Sequence, residues 1–194
     1  MPPVGVLALQ GDWQTHMNVI ESLGAQARPV RTTNDLASVR ALVIPGGESS
    51  AMLRLMEPEG LLDRLRERIA GGMAVLGTCA GVILLAETVE PEQPSLGALS
   101  VAVVRNAYGR QLQSTVADIE VVPELGPPAR SEGIFIRAPR ITRAGPKVRI
   151  LARWQGDPVL VCQGRVVGAT YHPELGADRR VHEFFLGLGK EDHG

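Results

Sequence analysis

The chain has 194 residues, of which 44% are hydrophobic and 21% charged, so it is long enough for one domain with a substantial core. Its 20 basic and 21 acidic residues give a net charge of −1 without blocks of like charge, which argues against a nucleic acid or an anionic membrane as partner. No apolar run could span a bilayer, and the first residues lack the features of a secretory signal. We therefore expect a cytoplasmic protein that acts on a small substrate.

In the first half, apolar strands alternate with amphipathic helices. Strands are predicted at residues 4–9, 25–30, 41–44 and 73–76, and helices at 15–23, within 59–72 and at 82–89. The helix at 82–89 is apolar throughout and is expected to be buried on all sides.

The second half is dominated by β-type patterns. Runs of this kind lie between residues 96 and 122, further strands are predicted at 133–136, 148–152, 159–163 and 166–170, and residues 179–189 form a C-terminal helix. Strands that alternate with helices imply a parallel sheet between two helical layers, and the added strands imply an antiparallel extension at one edge. The sequence thus predicts an α/β fold, with residues 1–194 as a single domain.

"PGGESS", residues 45–50, follows the predicted strand at 41–44 and permits two interpretations. In the first, Gly46 and Gly47 form a tight turn and Ser49 or Ser50 caps the following helix. In the second, the glycines let backbone N–H groups approach an anionic ligand. Ligand sites of open α/β sheets lie at the carboxyl ends of strands, where this segment falls.

"GTCAG" places Cys79 between Gly77 and Gly81 at another passage from strand to helix. Flanking glycines permit the sharp turn of a nucleophile elbow, and the start of a helix favours thiolate over thiol. We interpret Cys79 as a nucleophile. The second cysteine, Cys162 in "VLVCQG", is interpreted as a small apolar core residue, and the two are too distant in sequence for a metal cluster. Both are expected to be free thiols.

His172 is the best candidate for the base that such a nucleophile needs. It follows the strand at 166–170, and Glu174 lies on the same side of an extended chain, where a carboxylate can orient the imidazole. The other histidines, His16, His182 and His193, lie in helices or the polar tail and suit solvated or packing roles.

Together, "PGGESS", "GTCAG" and "HPE" resemble the triad-type (class I) glutamine amidotransferases over nearly the whole chain. "GVLALQGDWQTH", "RNAYGRQ" at 105–111 and "FIRAP" at 135–139 are similar to the glutaminase subunits of two-component pyridoxal 5′-phosphate synthases, the PdxT/SNO family. The resemblance implies a flavodoxin-like fold, with an open, mostly parallel three-layer sheet. It also implies hydrolysis of L-glutamine by Cys79, His172 and Glu174 through a γ-glutamyl thioester, without a metal or cofactor.

The same resemblance assigns further residues to the site. Those implied to bind L-glutamine are Gly47, Glu48, Ser49, Arg105, Ile136 and Arg137. Backbone N–H groups of Gly47 and Ala80 are expected to form the oxyanion hole. The implied partner is a dodecameric synthase subunit in a 12+12 complex, which receives the ammonia and activates the glutaminase on docking. Trp13 and His16 are interpreted as interface residues or as ordinary exposed positions of the first helix.

Three alternatives compete with this interpretation. The ammonia could serve another pathway, such as imidazole glycerol phosphate or anthranilate synthesis, although "RNAYGRQ" and "FIRAP" argue against it. The chain could be a non-catalytic glutamine-binding regulatory module, which the complete triad disfavours. It could be a stand-alone cysteine hydrolase or protease, which would leave the glutamine-site motifs unexplained.

Overall fold

The computed structural model describes residues 2–107 and 114–190. Its strands, in chain order, are β1 Val4–Leu7, β2 Ala27–Val30, β3 Ala41–Ile44, β4 Ala74–Thr78, β5 Ala86–Glu90, β6 Leu99–Val104, β7 Ser114–Val121, β8 Arg130–Ile136, β9 Arg140–Ala144, β10 Arg149–Trp154, β11 Asp157–Gln163 and β12 Val166–Ala169. The α-helices are α1 Trp13–Ser22, α2 Thr33–Ala37, α3 Ser49–Met56, α4 Leu61–Ala70, α5 Ala80–Leu85 and α6 Arg180–Leu188, and a 3-10 turn covers Pro123–Leu125.

A mixed sheet forms the centre of the molecule. Within the described ranges it has nine strands in the order β2-β1-β3-β4-β12-β11-β10-β7-β8. The first five are parallel, and from β12 onward each strand runs antiparallel to its neighbour. The predicted α/β fold with an antiparallel extension is confirmed.

Helices cover both faces of this sheet because the strands in its centre are apolar on both sides. In β3, Leu42 and Ile44 pack into the hydrophobic cluster that includes α2 to α5, whereas Val43 packs into the cluster that includes α1 and α6. A fully buried parallel strand needs such a continuous apolar run. The result is the expected three-layer arrangement.

The region after α5 differs from the sequence prediction. The helix predicted at 82–89 is present only in its first half: α5 is buried as expected but ends at Leu85, and Ala86 has extended dihedral angles of −62° and 151°. Residues 86–90 instead form β5, because their backbone pairs with β6 in a separate sheet of order β5-β6-β9. β6 was expected in the antiparallel extension and lies in this small sheet, and the sequence pattern missed α2 and β9.

The described helices are all too short or too polar to cross a lipid bilayer. The longest of them, α1 and α4, have ten residues each.

Candidate active site

Cys79 occupies a sharp turn between β4 and α5. Its backbone has φ 48° and ψ −105°, a strained conformation for a residue with a side chain, which costs on the order of 1–3 kcal/mol. Gly81 makes the turn possible, since a Cβ at this position would lie 2.2 Å from the carbonyl oxygen of Ile44. The turn at Cys79 therefore packs closely against the neighbouring strand β3, as expected from the flanking Gly77 and Gly81.

β12 brings the second half of the candidate triad beside the first. It is the parallel neighbour of β4, with Ala169 opposite Thr78, and the amide of Cys79 donates to the carbonyl of Ala169 at 2.8 Å. The chain then leaves the strand and reaches His172, whose amide donates to the carbonyl of Ile134 in β8 at 2.8 Å. The imidazole is therefore held between β4 and β8.

The His172 side chain contacts both proposed partners. Its Nδ1 lies 2.7 Å from Oε1 of Glu174, and its ring and the Cys79 thiol line the same cavity beside Gly46. The Glu174 side chain is only 1% exposed and that of His172 is 12% exposed. The carboxylate thus lies behind the imidazole, away from solvent.

The electrostatics of the pair favour the charged imidazole. Burial alone lowers the pKa of His172, but the hydrogen bonds with Cys79 and Glu174 outweigh it and raise the pKa to about 10. Burial raises the pKa of Glu174, but the hydrogen bond with His172 and the charge of that imidazolium keep the pKa below its ordinary value. An imidazolium beside a thiol is the arrangement that stabilises a nucleophilic thiolate.

The "PGGESS" segment passes directly over this pair. A Cβ on Gly46 would lie 2.5 Å from Cε1 of His172 and 3.3 Å from Cβ of Cys79, so only glycine allows the approach. The interpretation of Ser49 or Ser50 as a helix cap is wrong: the N-cap of α3 is Glu48, and no side chain caps the helix. The glycines therefore serve close approach to the reactive groups.

A cavity of about 510 Å³ opens above Cys79. This volume lies in the range of ~300–1,000 Å³ that is typical of small-molecule sites. Its lining includes Cys79 and His172 together with all the residues that the resemblance assigns to glutamine and the oxyanion hole: Gly47, Glu48, Ser49, Ala80, Arg105, Ile136 and Arg137. Glu174 does not line it.

Two of these lining residues share a polar partner that sequence reasoning missed. Oε1 of Gln93 accepts a hydrogen bond from Nη1 of Arg105 at 2.7 Å and another from the hydroxyl of Ser49 at 3.1 Å. The Arg105 guanidinium can only donate hydrogen bonds, so the oxygen of the Gln93 amide, and not its nitrogen, faces it. Gln93 lies in the segment between β5 and β6, and no local pattern marked it.

The loop above the cavity has a further missed support. Oε1 of Gln10 accepts from the amide of Glu48 at 2.7 Å, which joins the "GGES" backbone to the segment between β1 and α1. On the opposite wall, the Cys79 thiol donates to the carbonyl of Ile136 at 3.6 Å, and Arg137 adopts a positive φ of 45°. Of "RNAYGRQ", residues 108–111 lie outside the described residues.

His16 requires a correction. It was interpreted as an interface residue or as an exposed position, but its exposed fraction is 0%, so it contacts no partner directly. His182, expected in a solvated or packing role, is equally buried. Trp13 is partly buried with Arg31 over its ring, and its place in an interface stays a prediction.

Both cysteines are free as expected, and burial raises the pKa of the Cys162 thiol.

Comparison with known proteins identifies the class and then the family. The fold is that of the class I glutamine amidotransferases, since a solved structure described as a glutamine amidotransferase aligns with a TM-score of 0.90 and 45% identity over 97% of this chain and 99% of that chain. The chain belongs to the SNO glutamine amidotransferase family, which matches residues 6–189.

Relatives of nearly equal length carry a more specific description. A pyridoxal 5′-phosphate synthase subunit PdxT from Kosmotoga olearia is 48% identical over 193 residues, covering 97% of this chain and 99% of the relative. A PdxT subunit from Thermus thermophilus is 48% identical over 188 residues, covering 95% and 96%.

Proposed function

We propose that this chain is the glutaminase subunit of a pyridoxal 5′-phosphate synthase, which hydrolyses L-glutamine to L-glutamate and ammonia as a single domain. The similarity to PdxT subunits over nearly the whole chain supports the subunit identity. The observation that carries the chemistry is that a strained elbow cysteine and an imidazole line the same cavity, with a buried carboxylate bound to the far side of that imidazole.

In the first half-reaction, the thiolate of Cys79 attacks the side-chain amide carbon of glutamine and forms a tetrahedral oxyanion. The imidazolium of His172 then gives its proton to the departing nitrogen and the C–N bond breaks. Ammonia is released, and the γ-glutamyl group remains on Cys79 as a thioester. In the second, His172 takes a proton from water as the water attacks the thioester, and the C–S bond breaks to release glutamate. Glu174 holds the imidazole in place throughout.

The cavity lining supplies groups of suitable chemistry for the remaining tasks. The backbone N–H groups of Gly47 and Ala80 serve as the oxyanion hole. Arg105 and Arg137 offer cations for the α-carboxylate of the substrate, and Glu48 offers an anion for its ammonium group. Ser49 and the backbone of Ile136 complete the glutamine site.

Ammonia released at this site has to reach an acceptor before water protonates it, which calls for a partner. The proposed partner is the synthase subunit, assembled as a dodecamer that binds twelve glutaminase chains, and docking raises the glutaminase rate. A catalytic thiol requires a reducing compartment, so the cytoplasm is the proposed location.

A glutamate-release assay with and without the purified synthase subunit tests this function. The wild-type chain should release glutamate faster with the pyridoxal phosphate synthase subunit than alone, and the Cys79→Ala variant should release none. The matched control is Cys162→Ala, which removes the other buried thiol and should retain turnover. Stimulation only by a synthase of another pathway would reject the assigned partner, and full turnover of Cys79→Ala would reject the mechanism.

A further inference from the structure

The carboxylate of Glu174 has a second imidazole neighbour on its far side. While Oε1 pairs with His172, Oε2 faces Nε2 of His16 in α1 at 3.4 Å. Oε2 has no hydrogen-bond partner among the described residues, and the contact with His16 is an ion-pair distance only. A buried carboxylate oxygen without a donor is costly, so His16 is the group placed to satisfy it.

His16 in turn contacts His182 in α6. Its Nδ1 lies 3.1 Å from Nε2 of His182, and both side chains have an exposed fraction of 0%. Burial lowers the pKa of His16 and lowers that of His182 to about 3. Each ring is therefore neutral near pH 7 and carries one proton, on either Nδ1 or Nε2.

The surroundings of His182 decide where these protons lie. Its Nδ1 is buried and has no hydrogen-bond partner within the described part of the chain. A proton there would leave a buried donor unpaired, whereas a proton on Nε2 is donated to Nδ1 of His16. His16 then carries its own proton on Nε2, which it donates to the hydroxyl of Thr78 at 3.1 Å, and Oε2 of Glu174 lies 3.4 Å from the same nitrogen.

We propose that His16 is a positioning residue of the catalytic site, and that His182 fixes its tautomer. His16 donates from Nε2 to the hydroxyl of Thr78, the residue just before Cys79, and the same nitrogen lies 3.4 Å from Oε2 of Glu174. It thereby joins the strand that carries the nucleophile to the carboxylate that orients the base. The glutamine-hydrolysing triad continues through two further imidazoles into the layer of α1 and α6.

This inference rests on the proposed glutaminase function, and kinetics separate the two. His16→Leu removes the donor and should lower kcat for glutamate release by about tenfold to a hundredfold, by analogy with the loss of groups that orient metal-binding side chains. The KM for glutamine should change less than about threefold, because His16 does not line the cavity.

Conservative and matched variants exclude a purely structural explanation. The side-chain amide of His16→Gln can donate from a position near Nε2 and should recover most of kcat, whereas a role in filling space predicts no difference between Gln and Leu. Ile20→Val trims another fully buried side chain of α1 and should keep wild-type kcat. Urea unfolding of each variant establishes that the folded chain is assayed.

A spectroscopic measurement tests the tautomer without any turnover. In the histidine-labelled wild-type chain, 15N shifts should report a neutral His16 with its proton on Nε2. A proton on Nδ1, or a folded His16→Leu variant with unchanged kcat, overturns the proposal. If the wild-type chain releases no glutamate with its partner, the proposed function fails, while the 15N result still decides the hydrogen-bond arrangement.

Discussion

Gln93 offers the sharpest test of how the glutamine site is held together. It contacts Arg105 and Ser49 but does not line the cavity, so its removal alters the wall without touching the reacting atoms. Without Gln93, Arg105 is no longer held in place to donate to the substrate carboxylate; a hydrogen bond from a charged donor contributes about 1.5–3 kcal/mol, and 1.4 kcal/mol corresponds to a factor of ten in binding. Because Arg105 is partly exposed, the lower end applies, and Gln93→Leu should raise KM for glutamine about tenfold.

The assay is the initial rate of glutamate release against glutamine concentration, with saturating synthase subunit. We expect kcat to stay within about threefold of wild type, since interactions made equally in the ground and transition states change KM alone. The control variant is Glu92→Ala, which alters the exposed neighbouring residue and should keep a wild-type KM. A wild-type KM for Gln93→Leu, or a loss confined to kcat, would refute the reasoning.

Three further predictions follow from the elbow and the triad. Cys79→Ala should end glutamate release but still sediment with the synthase subunit, and loss of co-sedimentation would contradict a purely chemical role. Gly81→Ala should lower the free energy of unfolding, measured in urea, by about 1–3 kcal/mol, because the new Cβ would lie 2.2 Å from the carbonyl oxygen of Ile44. The control is Gly187→Ala, whose Cβ would lie in open space and should stabilise the protein by up to ~1 kcal/mol. Equal unfolding midpoints for the two variants would refute this prediction. The pKa of His172 is raised from 6.5 to about 10, so the contribution of its ion pair with Glu174 to stability is complete below pH 6.5 and disappears as the pH rises through 10. An NMR titration of the imidazole with a midpoint at or below 6.5 would contradict this ion pair.

Local patterns were sufficient for the central part of the fold. The strands predicted at 4–9, 25–30, 41–44 and 73–76 are all present with ends shifted by two residues at most, because short apolar runs between turn residues leave few options. The second half of the helix predicted at 82–89 is wrong because a continuous apolar run fits a helix and a strand equally well, and pairing with β6 decided the conformation of residues 86–90.

The reactive groups were recognisable because each is part of a short sequence motif. Flanking glycines identified Cys79, and the two-residue spacing identified His172 with Glu174. The contacts of Gln93 and His16 join residues far apart in the chain: Gln93 reaches back 44 residues to Ser49, and His16 reaches 166 residues to His182. A histidine on an amphipathic helix has the same sequence signature whether it meets water or a buried carboxylate, so only tertiary structure distinguishes the two.

The position of β12 between β4 and β11 has a consequence for synthesis of the chain. The ribosome completes β4 early, but the strand that pairs with its free edge and delivers His172 is among the last segments to emerge. Until then the thiol has no imidazole beside it and the centre of the sheet is open. The nascent chain therefore carries an unactivated cysteine, and its reactivity begins only when folding is nearly complete.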